Sequence, residues 1–240
     1  MIIRILSLLI IALPSLGQGD SLLLQQATSA SVVLYTQTIK GQTLLYSGPQ
    51  YRSGPILDGQ HPFFGADDWT FGSVTYNGYR FDNVPLLYDI AFDVLVTENY
   101  YTAHETALVK EKVEAFEING RQFIRIDRHQ YEGSLPTPGF YEMVYDGTTT
   151  VLARHTKFEN SRIESKAIVI DYKEKVKYFI LRGTRFFPVK TKRSILNVLA
   201  DEKQALRQYI RQHNLFPRVD RRGFLLQVAA HYDTLTATNE

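Results

Sequence analysis

The residues best suited to chemistry lie in one stretch, Gly59-Gln60-His61-Pro62-Phe63-Phe64-Gly65-Ala66-Asp67-Asp68-Trp69. It joins a histidine, two adjacent carboxylates and the single tryptophan of the chain. Read as a ligand loop, Trp69 and Phe64 form a stacking platform, Asp67 or Asp68 accepts hydrogen bonds, and His61 assists. Loops held on a rigid scaffold often carry function. The competing reading is structural: Asp67 or Asp68 caps a turn, and Phe63, Phe64 and Trp69 cover one end of a sheet. The composition favours that second reading. As a metal site, His61 and the two aspartates supply at most three ligands. No metal and no cofactor is expected.

Two further groups invite chemical readings. Asp89 and Asp93 fall on one face of an alternating segment, and two carboxylates on one face suggest glycoside hydrolysis. Four residues of strand span about 13 Å, whereas such pairs lie roughly 5–9.5 Å apart. They are expected to be solvated or paired with Lys or Arg. His104-Glu105-Thr106-Ala107-Leu108 opens like a zinc-protease motif, but Leu108 stands where the second histidine is needed. His104 and Glu105 therefore read as loop residues. The chain has no G-x-S-x-G elbow, no P-loop and no G-x-G-x-x-G. No catalytic residue is assigned.

Charge is concentrated late in the chain. Between Arg185 and Arg222 stand ten basic residues against Asp201, Glu202 and Asp220. Arg193, Arg207, Arg211, Arg221 and Arg222 are the candidate basic surface. The plainer account is the solvated face of amphipathic helices, whose long side chains also cover apolar surface.

The N-terminus suggests where this charge is displayed. Met1-Ile2-Ile3-Arg4 is followed by an apolar run from Ile5 to Leu13, then Pro14-Ser15-Leu16-Gly17. That order of charge, apolar run and small residues is the pattern of a signal peptide cut before Gln18. The run is shorter than the roughly 20 residues needed to span a bilayer. Without Arg4 the mature chain holds 26 basic and 25 acidic residues, so its global charge argues for no polyanion. Export to the periplasm or beyond makes nucleic acid an improbable partner. Anionic lipid, lipopolysaccharide or another envelope component is compatible. With no cysteine, thiol catalysis, cysteine-bound metals, disulfides and a thioether lipid anchor are excluded. The chain is not expected to be transmembrane after cleavage. An integral outer-membrane barrel is disfavoured, because such barrels continue in strands to their end and this chain closes in helical patterns.

The elements that must position these residues follow from turn chemistry. Lys40-Gly41, Asp58-Gly59, Asn77-Gly78, Asn119-Gly120 and Asp146-Gly147 each mark a two-residue hairpin turn. Around Asn119-Gly120 the spacing pairs Ile118 with Arg121, Phe116 with Phe123, Glu114 with Arg125 and Lys112 with Asp127. Around Asn77-Gly78 it pairs Tyr76 with Tyr79 and Val74 with Phe81. Around Asp146-Gly147 it pairs Tyr145 with Thr148, Met143 with Thr150 and Tyr141 with Leu152. Val84–Val96 reads as one long strand, and Lys177–Val189 as another. A helical pattern begins at Ser194–Leu199. Asp201 then opens a capping box and Asp220 caps a last helix. Residues 1–17 are thus a signal peptide, 18–190 an antiparallel β domain, and 191–240 its helical extension. The fold class expected is mainly β: a curved antiparallel sheet or open barrel with two C-terminal helices packed against it.

The stretches Gly59-Gln60-His61-Pro62-Phe63-Phe64, Val74-Thr75-Tyr76-Asn77-Gly78, Asn83-Val84-Pro85-Leu86-Leu87-Tyr88-Asp89 and Phe187-Pro188-Val189-Lys190-Thr191-Lys192-Arg193-Ser194 carry a resemblance. The chain resembles a group of exported, uncharacterised β-rich proteins of Gram-negative bacteria. These are structural motifs, so the resemblance implies a single exported β unit with a helical end and transfers no catalytic residue. The function expected is non-enzymatic: an envelope protein binding a small ligand or an envelope partner. The alternative is an envelope hydrolase acting on glycan or peptide through His61, Asp67 and Asp68.

Overall fold

The fold is described from a computed structural model at residues 45–53, 60–99, 104–127, 131, 137–164 and 167–238, with only the backbone considered at 161–164 and 167–170. The segment expected to be a signal peptide and the turns expected at Lys40-Gly41 and Asp58-Gly59 lie outside the described residues.

Hairpins that depend on local turn chemistry form as the sequence predicts. β1 (Thr70–Tyr76) and β2 (Tyr79–Asp89) meet at Asn77-Gly78, with φ of 52° and 80°. Their register includes Tyr76↔Tyr79 and Val74↔Phe81. β5 (Val113–Ile118) and β6 (Arg121–Ile126) meet at Asn119-Gly120, with Ile118↔Arg121 and Phe116↔Phe123. Asparagine and glycine tolerate the positive φ that the turn requires.

The charge pairs expected further out on that hairpin do not form. Its ladder ends at Ala115↔Ile124. A 3-10 turn at Lys110–Lys112 removes Lys112 from the strand. Arg125 donates to Val113 O at 2.9 Å and to Asp127 at 2.5 Å, while Glu114 accepts from Gly78 N–H at 2.7 Å.

Two expected strands are in fact hairpins. β2 ends at Asp89, and the chain turns through Ile90–Asp93 into β3 (Val94–Glu98). The Asp89 carboxylate accepts the N–H groups of Ala91 and Phe92 at 2.8 and 2.9 Å, and Asp93 sits at φ 60°. Such self-bonding is how aspartate starts a turn. It leaves Phe92, which falls in phase with Leu86 and Tyr88 in the sequence, 64% exposed. Asp89 and Asp93 therefore do not share a strand, and the strand-length argument against their pairing does not apply. The segment expected as Lys177–Val189 splits at Gly183 (φ 57°) into β9 (Ala167–Arg182) and β10 (Arg185–Val189).

β7 (Gly139–Tyr145) and β8 (Thr149–Glu164) pair in a different register from that expected, with Met143↔Leu152 and Tyr145↔Val151 and a bulge between Met143 and Tyr145. A distant carboxylate sets it. Asp233 accepts the Thr149 N–H at 3.1 Å and the Tyr145 hydroxyl at 3.1 Å. Glu105, read as loop, opens the short strand β4 (Glu105–Ala107).

These strands form one antiparallel sheet in the order β10-β9-β8-β7-β6-β5-β1-β2-β3-β4, not closed into a barrel. β8 and β9 pair along sixteen residues each, from Thr149↔Arg182 to Glu164↔Ala167. Three C-terminal helices, not two, pack on the sheet: α1 (Lys192–Val198), α2 (Lys203–Gln212) and α3 (Arg221–Thr238). The additional one, α1, is made separate by its own capping box, in which Thr191 Oγ1 accepts the Ser194 N–H and Ser194 Oγ accepts the Thr191 N–H. Asp201 does not open the box expected of it, and Glu202 takes the N-cap position without a side-chain capping bond. The Asp201 carboxylate accepts instead from the Tyr232 hydroxyl and from Arg182. Asp220 caps α3 as expected, through Gly223 N–H at 2.8 Å.

Two apolar clusters share the layer. One is aromatic, with Phe116 and Phe123 stacked at 4.8 Å between Tyr88, Phe140 and Phe64. The other joins Val151, Ala153 and Ile180 to Leu196, Leu206, Phe224 and Val228 of the helices. Each large side chain so buried stabilises by about 1.5–3 kcal/mol. No helix among the described residues is long and apolar enough to cross a membrane.

Candidate functional site

The loop that drew attention in the sequence is tied down and divided. Phe64 N–H donates to Tyr88 O at 2.8 Å, and Pro62 O accepts from Ile90 N–H at 3.0 Å. His61 is half-buried and stacks on Phe63 at 6.1 Å. Lys157 Nζ donates to His61 O and Phe63 O at 2.9 and 2.7 Å and lies 3.5 Å from His61 Nδ1. Burial and the neighbouring Lys157 push the His61 pKa down. Phe64 packs its ring against Phe123 and His155 at 5.2 and 4.9 Å, so it has no free face for stacking. Asp67 and Asp68 are exposed, and no hydrogen bond joins either to His61. Trp69 is half-buried against Tyr51, Phe63, Leu87 and Val96.

The basic residues divide as well. Arg193 and Arg207 line a groove of about 540 Å³ between α1 and α2, with Lys192 and Lys203. Arg211 is exposed on α2. Arg222 turns inward and donates from Nε to Glu142 at 2.6 Å. Arg221, its neighbour, borders a second groove.

That second groove, of about 720 Å³, follows from how β9 and β10 differ in length. β10 pairs with β9 from Arg185↔Arg182 to Val189↔Tyr178 and then leaves toward α1. Beyond the step, β9 continues as Lys177, Val176 and Lys175. Lys175, Lys177, Lys190 and Arg221 line the groove, and among the described residues its lining contains no carboxylate. Tyr178 and Val189 from one face of the sheet edge, and Phe179 and Pro188 from the other, supply its apolar lining. Its volume falls within the roughly 300–1,000 Å³ of small-molecule sites. Lysines alternating at 173, 175 and 177 are a period-two signal of one strand face. Sequence reasoning missed it by starting the strand at Lys177.

Behind Tyr178 lies a buried ionic network that sequence reasoning also missed. Glu142 is 1% exposed. Its Oε1 accepts from Arg121 Nη1 at 2.7 Å and from Arg222 Nε at 2.6 Å, and its Oε2 meets His155 Nε2 at 2.7 Å. His155 Nδ1 meets Glu174 at 3.0 Å. Burial alone would raise the Glu142 carboxyl, but the bonds from His155, Arg121 and Arg222 bring it from 4.5 to about 2. Burial alone would lower His155, but its two carboxylate partners raise it. The pair is thus held as carboxylate and imidazolium, the protonation states a fully partnered buried pair favours. The network joins β6, β7, β8, β9 and α3, and it sits where the aromatic cluster meets the helical one. Burial raises the Tyr178 hydroxyl first, and the charge of Glu142 raises it further.

On the opposite face of β8, Arg154 reaches Asp93 at 2.9 Å and Phe140 O at 2.8 Å. Asp93 also accepts from the Tyr88 hydroxyl at 2.7 Å and pairs with Lys110. Asp89 accepts from the Tyr51 hydroxyl at 2.6 Å. Both aspartates are therefore structural anchors. Among the described residues, no group of three or more His, Asp or Glu side chains is placed to hold a metal ion.

No family model, curated protein or solved structure matches this chain. The resemblance to exported Gram-negative proteins thus stands on its four sequence motifs alone.

Proposed function

We propose that this protein is an exported, non-enzymatic component of the cell envelope that binds an anionic amphiphile in the groove along β9. One observation carries the reading: among the described residues, four cations and no carboxylate line a groove whose remaining walls are largely apolar. Ionised donors make the stronger hydrogen bonds to phosphate or carboxylate, and the apolar lining accepts the apolar body. The interior is a poorer place for a ligand, because Val151, Ala153, Leu199, Leu206 and Val228 fill the space between sheet and helices. Hydrolysis through His61, Asp67 and Asp68 lacks its central contact, since neither aspartate bonds the histidine. Export rests on the leader pattern of residues 1–17.

Calorimetric titration with dodecyl phosphate, below its micellar concentration, tests the groove. Saturable one-to-one binding, weakened at least about tenfold in Lys177→Glu/Arg221→Glu, supports it. No binding, or equal binding by the variant, overturns it. Sequencing the N-terminus of the protein recovered from a periplasmic fraction tests export. A chain starting at Gln18 supports it, and an intact Met1 chain confined to the cytoplasm overturns it.

A further inference from the structure

The turn between α2 and α3 holds two bulky apolar side chains out in water on a rigid support. α2 closes in a Schellman motif. Asn214 adopts φ 51° and donates to Arg211 O at 3.3 Å, and Leu215 N–H donates to Ile210 O at 3.0 Å. Leu215 packs into the same cluster as Ile210, the contact that characteristically accompanies this cap. The chain then turns on Phe216 O, which accepts the N–H groups of Val219 and Asp220 at 3.1 and 3.3 Å. Asp220 caps α3 through Gly223 N–H. Both ends of the turn are therefore fixed. Between them Phe216 is 63% and Val219 86% exposed. Arg211, Arg218 and Arg221 are exposed around the tip, and Asp220 is the one acid among them, with one oxygen committed to the cap.

We infer that this turn docks the protein on an anionic phospholipid bilayer, with Phe216 and Val219 entering the interface and Arg211, Arg218 and Arg221 engaging lipid phosphates. An exposed tip of two side chains is too small for a specific protein interface, which buries over about 1,000 Å² in total. A fluid surface moulds itself around such a tip. Apolar side chains gain by leaving water at the headgroup boundary, and basic residues beside them gain from the negative surface potential. The inference does not depend on the β9 groove: the two share Arg221, but Phe216, Val219, Arg211 and Arg218 lie outside that groove's lining.

The test is co-sedimentation with vesicles of phosphatidylcholine alone and of phosphatidylcholine with phosphatidylglycerol, at low and high salt. Both substituted side chains are exposed, so Phe216→Ser/Val219→Ser keeps the fold, which circular dichroism checks. The expected result is binding to the anionic vesicles at low salt, reduced by high salt and by Arg218→Glu. The double variant binds at least about tenfold more weakly, as loss of the exposed Phe216 surface alone requires. It still binds dodecyl phosphate as the unaltered protein does, which separates this inference from the groove. Absence of binding to anionic vesicles at low salt overturns it. So does equal sedimentation of the double variant, which would mean electrostatic adhesion by another surface.

Discussion

Glu142→Gln removes one charge from the centre of the buried network and preserves its shape. The carboxylate is 1% exposed and faces three cationic partners within 2.7 Å. Its pKa falls from 4.5 to about 2 on folding, which at about 1.4 kcal/mol per pH unit corresponds to about 3 kcal/mol. The sign follows from the depressed value. The contribution is present above pH 4.5 and is lost as pH falls through the folded value near 2. The glutamine variant should therefore unfold at neutral pH with about 3 kcal/mol less free energy. In thermal melts that is a fall of about 6–12 °C for a domain of this size. Urea unfolding followed by circular dichroism at pH 7 and at acidic pH measures both the size and its decay. A variant within about 1 kcal/mol of the unaltered protein at pH 7 would refute the reasoning, since breaking a buried ion pair costs about 3–5 kcal/mol. An equal deficit at pH 7 and near pH 2 would refute it too, because the loss would then not be the charge.

Two further outcomes follow from neighbouring groups. His155 has a folded pKa raised above 6.5, so its contribution is full below pH 6.5 and is lost as pH rises through the folded value. Stability of the unaltered protein should decline with pH above 6.5, and His155→Gln should flatten that decline; an unchanged slope in the variant counts against the imidazolium. Gly139→Ala should lower stability by roughly 2–4 kcal/mol. Gly139 sits at φ 148°, and a Cβ there would overlap Arg154 Nη1 and Asp93 Oδ2. A melting temperature unchanged in that variant would contradict the close approach.

Turn chemistry made much of the fold legible in the sequence, wherever the information was local. Asn77-Gly78 and Asn119-Gly120 set their hairpins because asparagine and glycine accept positive φ at little cost. Asp146-Gly147 belongs to the same class and misleads, because Asp233, far away in the chain, captures the Thr149 N–H and moves the register. Ile90–Asp93 continues the apolar alternation of β2 letter by letter. Only the Asp89 carboxylate bonding its own following backbone reveals the turn. The sites follow the same division. The alternating lysines of β9 were readable as one face of a strand. The Glu142 network was not, since Arg121, His155 and Arg222 reach Glu142, and Glu174 reaches His155, from separate elements with no spacing that links them. Arg222 illustrates the cost of counting charge: it belongs to a basic run in the sequence and is committed to a buried carboxylate in the fold.

Nuclear magnetic resonance titration with dodecyl phosphate addresses the anion groove most directly, because it reports position as well as binding. The account predicts saturable shifts of the backbone amides of Lys175–Tyr178 and Val189–Lys190, the residues at the step where β10 leaves β9. Shifts confined to the α1–α2 groove around Arg193 and Arg207, or none at saturating ligand, would contradict it.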